Sequence, residues 1–166
     1  MTWSSKARAF WPLLSTAFLA DCTTKQIATE HLAPAYTPHE VWGEWVRFVL
    51  AYNQGAAMGL SLGPWARPLL AIVAVAMLGV LMVWYRRVAR QDWATAAALG
   101  LIAGGALGNL LDRLRWDRGV VDFIDVGIGT TRFWVFNVAD AAITCGALWL
   151  VWRLSRAGHS SVETVA

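Results

Sequence analysis

Residues 93–113 read WATAAALGLIAGGALGNLLDR. From position 93 to 111 the stretch carries no charge, and it is close to the roughly 20 residues that a helix needs to cross a bilayer. Its glycines recur four apart, at 100, 104 and 108, a spacing that lets another helix backbone approach closely. Asn109, Asp112 and Arg113 end the stretch and can share one helical face. The segment predicts a tightly packed membrane-crossing helix with polar groups at its C-terminal end.

Three further stretches combine similar length with few or no charges, at residues 10–27, 65–85 and 137–156. Tryptophan and tyrosine cluster at the ends of the stretches, as in the aromatic belts of membrane proteins. Of the 166 residues, 57% are apolar, only 15% are charged and eleven are tryptophan, which does not suit an ordinary soluble domain. We expect one integral membrane domain over residues 1–166, a membrane all-α core of four transmembrane helices.

Basic residues beside the apolar stretches predict their orientation. Lys6 and Arg8 precede the first stretch, three arginines lie in the 86–92 link, and Arg153 and Arg156 close the fourth stretch. Because such residues mark the cytoplasmic side, both termini and the 86–92 link are predicted to be cytoplasmic. Arginines at 113, 115, 118 and 132, on the other side, weaken this asymmetry. The net charge of +3 needs no nucleic-acid partner.

The two longer connections, 28–64 and 114–136, are predicted to be ordered and to lie outside. Three segments within them are rich in β-branched and aromatic residues, a strand signal: 45–52, 119–126 and 131–136. Gly127 and Gly129 indicate a turn between the last two segments. These features predict a small extracytoplasmic β-cradle and loop.

Alternating direction across the bilayer brings the conspicuous polar residues to one leaflet. The first and third stretches run outward, and the fourth begins outside. This topology delivers to the outer side Asp21 and Lys25 from the first stretch, Asn109, Asp112 and Arg113 from the third, Asn137 and Asp140 from the fourth, and Asp122 from the connection before it. The sequence therefore predicts one polar site at the outer membrane interface.

Asp122 and Asp140 are the candidate catalytic residues of that site. A carboxylate near hydrocarbon is costly unless it is paired or lines a wet cavity, so it indicates a functional site. Two neighbouring carboxylates cannot both ionise easily, and one protonated and one ionised member can together activate a water molecule. A second interpretation is that Asn137 caps the fourth helix and Asp140, three residues on, completes a variant of the capping box.

Other chemistries have less support in the sequence. His31, His39 and His159 are few and dispersed, so we expect no metal site, and no organic cofactor is indicated. For Asp112 we favour a structural ion pair, with Arg113 or Lys25. Two rival functions are a proton-coupled transporter, which predicts charges near the bilayer midplane, and an assembly subunit whose charges only lock helices together.

The chain resembles the bacterial lipoprotein signal peptidases (signal peptidase II) over nearly its whole length. Five blocks carry the likeness, in the family's order: Asp21-Cys-Thr-Thr-Lys25, Asn53-Gln-Gly-Ala-Ala57, Gly104-Gly-Ala-Leu-Gly-Asn-Leu-Leu-Asp-Arg113, Val121-Asp-Phe-Ile-Asp125 and Phe136-Asn-Val-Ala-Asp140. Any one block is a weak signal, but all five among four apolar stretches are very specific. Met58 departs from the family, which usually has an aromatic residue there.

The resemblance implies an aspartic endopeptidase of the bacterial inner membrane, acting as a monomer. Its substrate would be a prolipoprotein with diacylglycerol on its lipobox cysteine, cleaved just before that cysteine, and globomycin-like peptides would inhibit it. Asp122 and Asp140 would form the catalytic dyad. Residues implied to support the site or contact substrate are Asp21, Lys25, Asn53, Gly55, Gly108, Asn109, Arg113 and Asn137.

Overall fold

The computed structural model describes residues 3–55 and 63–163, without the side chains of residue 64 and of 157–163. The helices are α1 (Ser5–His31), α2 (Ala66–Arg87), α3 (Trp93–Arg115) and α4 (Val138–Glu163), and a 3-10 turn, Gly63–Trp65, precedes α2. The strands are β1 (Pro38–Trp42), β2 (Val46–Asn53), β3 (Val120–Ile128) and β4 (Thr131–Arg132). The described chain is thus mostly helical with one small antiparallel sheet.

Helix α3 lies at the centre of the bundle because its small residues admit neighbouring backbones. A Cβ atom at Gly100 would stand 2.6 Å from the carbonyl oxygen of Phe10 in α1. At Gly105 it would collide with the carbonyl of Ala139 in α4. Helix α2 also packs against α3, and the buried cluster between them includes Leu99. The four-residue glycine spacing therefore serves close helix packing.

Three helices are long and apolar enough to cross a membrane: Ala66–Arg87, Trp93–Arg115 and Val138–Arg156. Helix α1 is not among them, because it carries Lys6, Arg8, Asp21 and Lys25 along its length. It is nevertheless 27 residues long, and it packs along α3. The prediction of a fourth transmembrane helix remains a prediction.

The two ends of the bundle are organised by different side chains. At one end, the Lys6 ammonium donates to the carbonyls of Tyr85 (2.9 Å) and Val88 (2.8 Å), so it satisfies backbone acceptors at the C-terminus of α2. At the other end, Arg67 of α2 donates to the carbonyl of Arg113 in α3 over 2.7 Å. We call this second end, where α1 and α3 finish and α2 and α4 begin, the site end.

The sheet has the order β1-β2-β3-β4 with antiparallel neighbours. Strands were predicted close to β2 and β3, and Phe136 forms an isolated bridge with Ile124 beyond β4. The turn prediction was wrong for Gly127, which pairs with Arg132 inside the ladder, whereas Gly129 occupies the turn with φ +53°. The sequence analysis also missed β1, whose residues are all exposed and therefore show no alternation.

A buried ion triad holds the middle strands together. Asp125 of β3 accepts hydrogen bonds from Arg47 of β2 (2.8 Å) and from Arg132 of β4 (2.9 Å). Burial opposes ionisation, but these two arginines hold the pKa of Asp125 below its ordinary value. The same β2–β3 register places Asp122 opposite Ala51, so the sheet carries Asp122 to the site end.

Candidate active site

Helix α4 begins with a reciprocal cap at the site end. The Asn137 Oδ1 atom accepts a hydrogen bond from the Asp140 backbone N–H (3.0 Å), and the Asn137 N–H donates to Asp140 Oδ2 (3.2 Å). This is the capping arrangement considered in the sequence analysis. It fixes the Asp140 carboxylate at a helix N-terminus, where the helix dipole favours a negative charge.

The fully buried side chain of Asn137 connects three parts of the site. Its Nδ2 group donates to Asp122 Oδ1 over 2.6 Å, to Asn109 Oδ1 over 3.1 Å and to the Val121 carbonyl over 3.2 Å. Because the same residue caps Asp140, both candidate catalytic carboxylates are positioned by one side chain. The structure therefore brings Asp122 and Asp140 together around Asn137.

Asp122 is 4% exposed, and its environment favours the protonated form. Burial, and after it the nearby charge of Asp140, raises the pKa of Asp122 to about 7. Hydrogen bonds from Asn137 and Asn53 act in the opposite direction. Asp122 is thus a carboxyl group that exchanges its proton near neutral pH.

Asn109 links the carboxylate of Asp140 to a buried cation. Its Nδ2 group donates to Asp140 Oδ1 over 2.8 Å, while its Oδ1 atom accepts from the Lys25 ammonium over 2.8 Å. Arg113, one turn further along α3, donates to the Asn109 carbonyl over 3.1 Å. The Arg113 guanidinium also interacts electrostatically with Asp140 and Asp122.

Lys25 lies between two further acids. Its ammonium is 2.7 Å from Asp21 Oδ2 and 3.0 Å from Asp112 Oδ2, and all three residues are at least 92% buried. Asp21 Oδ1 also accepts from the Ala139 N–H (2.8 Å), and Asp112 Oδ2 accepts from the Val121 N–H (3.1 Å). The ion pair of Asp112 is therefore with Lys25, one of the two partners considered above. This cluster joins α1, α3, β3 and α4.

Two glycines allow close approach at the site end. A Cβ atom at Gly108 would fall inside the carboxylate of Asp21. Gly55 has φ +114°, and a Cβ there would be 2.6 Å from the Ala66 Cβ in α2. The Gly55 N–H donates to Asn53 Oδ1 over 2.9 Å. Gly55 thus lets the chain pass against α2 directly after Asn53.

All ten residues that were assigned to the site lie at the site end. Met58, where the sequence departs from the usual family pattern, lies outside the described residues. The sequence analysis did not identify Arg67, although a charge in the first turn of an apolar helix was a usable signal. Nor could it identify the backbone N–H groups of Val121 and Ala139, because only the fold directs them toward Asp112 and Asp21.

Within the described ranges, no group of three His, Cys, Asp or Glu residues is arranged to hold a metal ion. Over the same ranges, no Lys or Arg nitrogen lies within 4.0 Å of the Asp122 or Asp140 carboxylates. Neutral amides surround the pair instead. A protonatable carboxyl beside a carboxylate at a helix N-terminus is suited to acid–base chemistry.

Fold and site together define a membrane-embedded protein with a carboxylate-rich site at one end of its helical bundle. A model of the family described as signal peptidase (SPase) II matches residues 13–156. The chain belongs to this family, as the sequence blocks predicted, and is therefore a membrane peptidase, a hydrolase.

Curated relatives and solved structures agree with this assignment. A lipoprotein signal peptidase of Teredinibacter turnerae is 39% identical over 81% of this chain and 79% of its own length. One from Ectopseudomonas mendocina is 39% identical over 92% of both chains. A structure described as a bacterial membrane enzyme, determined by the in meso method at 2.3 Å resolution, has 28% identity and a TM-score of 0.77 over 87% of this chain and 85% of that one.

Proposed function

We propose that this protein is an aspartic endopeptidase that removes the signal peptide from diacylglyceryl-modified prolipoproteins by cleaving before the lipidated cysteine. The observation that carries the proposal is the placement of Asp122 and Asp140 around Asn137, with no Lys or Arg among the described residues in direct contact with either carboxylate. Family membership supports the substrate, since the curated relatives are named lipoprotein signal peptidases.

The two aspartates take different parts in the reaction. Asp140, at the N-terminus of α4, acts as the base and accepts a proton from the attacking water. Asp122, whose pKa is raised to about 7, is protonated and donates its hydrogen to the carbonyl oxygen of the scissile amide. The product of this step is a neutral tetrahedral diol. Neither a metal nor a cofactor enters the scheme.

Collapse of the diol completes the cycle. Asp140 passes its proton to the leaving amine of the lipidated cysteine, the C–N bond breaks, and the diol returns a proton to Asp122. Asn137 and Asn109 hold the carboxylates in place, while Asn53 donates to Asp122. Asp21, Lys25, Asp112, Gly108 and Arg113 position these amides, and Gly55 turns the chain beside Asn53.

We place the single domain, residues 1–166, in the bacterial inner membrane as a monomer. Helix α1 is its first span, both termini are cytoplasmic, and the site end lies at the outer leaflet, with the sheet as its cradle. The basic residues near Lys6, Arg86 and Arg153 support this orientation. A site at the outer interface supplies water while the substrate's signal helix and acyl chains stay in lipid. Globomycin-like peptides would compete for the same groove.

Asp122→Asn and Asp140→Asn test the dyad directly. Each change removes one proton-transfer group and keeps the side-chain size, so cleavage of a lipidated prolipoprotein peptide should fall by at least roughly 10²–10⁴-fold. The measurement is the single-turnover cleavage rate of the purified variants, with thermal unfolding to check that each is folded.

Asp125→Asn is the matched control, because it removes a buried carboxylate from the same strand. It loosens the pairs with Arg47 and Arg132, so it should lower stability while the folded fraction keeps its cleavage rate. Wild-type rates in Asp122→Asn and Asp140→Asn would exclude the dyad. Inactive, well-folded dyad variants would argue against a helix-locking assembly subunit.

A further inference from the structure

A cleft opens at the site end on the outer side of α1 and α3. Its volume is about 50 Å³, and it opens to solvent. The residues that line it and carry the argument are Gln26, Thr29, Asp112, Arg115, Trp116 and Arg118. The first two come from α1, and the others from the end of α3 and the loop that follows it. Lys25 and Asp112, which position the amides of the proposed catalytic site, also line this cleft, whereas Gln26, Thr29, Arg115, Trp116 and Arg118 take no part in the proposed mechanism.

The cleft is separate from the aspartate pair. It is lined by Val121, whose neighbour in β3 is Asp122. Because successive side chains of a strand point to opposite faces, Val121 and Asp122 face different sides of the sheet. A ligand in the cleft would therefore lie on the other side of β3 from the Asp122 side chain.

The charge in the cleft is positive. Across the described residues, Arg115 and Arg118 have no carboxylate within 4.0 Å. The acid in the lining, Asp112, already accepts from Lys25 and from the Val121 N–H. Both arginine side chains instead approach the ring of Trp116, at 5.5 Å and 4.8 Å from its centroid.

Exposed tryptophans near the cleft indicate its depth in the membrane. Trp116 directly follows α3, and Trp65 directly precedes α2, and both are exposed, at 40% and 77%. The C-terminal end of α3 and the N-terminal end of α2 are neighbours, since Arg67 of α2 donates to the Arg113 carbonyl of α3. Exposed tryptophans at the ends of apolar helices mark the membrane–water interface. These tryptophans indicate that the neighbouring Arg115 and Arg118 lie near the membrane–water interface.

We propose that this cleft binds the headgroup of an anionic phospholipid. Arg115 and Arg118 donate charge-assisted hydrogen bonds to the phosphodiester, for which the guanidinium fork is well suited. Gln26 and Thr29 offer a polar wall beside it. An anionic headgroup is preferred over a zwitterionic one, because two arginines repel a headgroup ammonium. The acyl chains extend along the exposed apolar surface of the bundle.

The test is native mass spectrometry of the full chain, purified with equal amounts of phosphatidylglycerol and phosphatidylcholine. The wild type should retain one phosphatidylglycerol preferentially. The variant R115Q/R118Q should bind it at least about tenfold more weakly, because two hydrogen bonds between charged groups are lost. R115K/R118K, which keeps the charge, should retain a measurable part of the preference.

The matched control is R86Q/R87Q, which removes two exposed arginines from the opposite end of the bundle. It should keep the tight phosphatidylglycerol. Cleavage of a lipidated peptide in detergent should be unchanged in R115Q/R118Q, which shows that this variant is folded.

Three results would overturn the proposal. The first is equal lipid retention by wild type and a folded R115Q/R118Q variant, and the second is equal loss in R86Q/R87Q. The third is displacement of the lipid by equimolar inorganic phosphate, which would indicate a free-anion site. Retention of the lipid against inorganic phosphate supports a phospholipid.

Discussion

Two pairs of carboxylates lie at the site end, with Asp21, Asp112 and Asp122 buried and Asp140 half-buried, and the two pairs have different partners. Asp21 and Asp112 share the ammonium of Lys25 at 2.7 and 3.0 Å. Asp122 and Asp140 share neutral amides, with Asn137 bonding both of them. The first pair therefore has a cation in direct contact with both members, whereas the described residues place no cation against the second pair.

This difference explains why one pair suits structure and the other suits chemistry. A cation between two acids stabilises their ionised forms, and removing it leaves uncompensated charge in the interior. Amides can donate to a carboxylate but cannot neutralise it, so burial and mutual repulsion favour a proton on one member. The raised pKa of Asp122, about 7, follows from this environment. Asn109 links the two groups, because it accepts from Lys25 and donates to Asp140.

Lys25→Met should have the largest effect on stability. The change leaves Asp21 and Asp112 buried without their cation, so the free energy of unfolding should fall by about 3–5 kcal/mol. Unfolding in detergent, titrated with a denaturing surfactant, provides the measurement. The triple variant D21N/K25M/D112N removes all three charges and should recover a large part of the loss. If Lys25→Met is as stable as the wild type, the first pair is not held by its cation.

The pH dependence of stability should distinguish the second pair. Asp122 has an unfolded pKa of about 3.9 and a folded pKa of about 7, so the native state binds more protons between these values. The free energy of unfolding should therefore decrease as pH rises from about 4 to about 8. In Asp122→Asn this part of the slope should disappear.

Thermal unfolding of wild type and Asp122→Asn at a series of pH values checks the sign. Asp125→Asn is the control, because its carboxyl has a lowered pKa and affects stability only in more acidic solution. Cleavage by the wild type should also decline above about pH 7, as Asp122 loses the proton that the mechanism requires. Parallel slopes in wild type and Asp122→Asn would contradict the compensation argument.

Gly108→Ala should have the smallest of these effects on stability. It tests whether the close packing of Gly108 against Asp21 helps to hold the first carboxylate pair in place. The new Cβ displaces the Asp21 carboxylate, and overpacking of this kind typically removes about 1–3 kcal/mol of stability. Gly79→Ala is the control, since nothing lies within 4 Å of a Cβ there. It should be neutral or slightly stabilising, because alanine is the better helix former. A comparison of the two unfolding transitions in one detergent tests this. Equal stability of the two variants would show that the Asp21 carboxylate does not require a glycine at position 108.

The elements that were predicted from sequence are those whose pattern is local. Apolar length predicted α2, α3 and α4, and residue type predicted β2 and β3. Strand β1 was missed because it is exposed on both faces, and Gly127 was misplaced because pairing with Arg132 extends β3 beyond its apolar run. In each case tertiary pairing prevailed over local propensity.

The sequence by itself determined the membrane setting, the glycine faces of α3, the cap at the start of α4 and the set of residues that gather at the site end. These features depend on composition and on the spacing of residues along one helix, and both can be read directly from the sequence. Only the tertiary structure decided which acid meets which partner: Lys25 rather than Arg113 for Asp112, and Asn137 between Asp122 and Asp140. Those contacts join residues from different elements, so their distances depend on helix packing and strand register. The raised pKa of Asp122 depends on the same packing, because burial and the nearby Asp140 cause it.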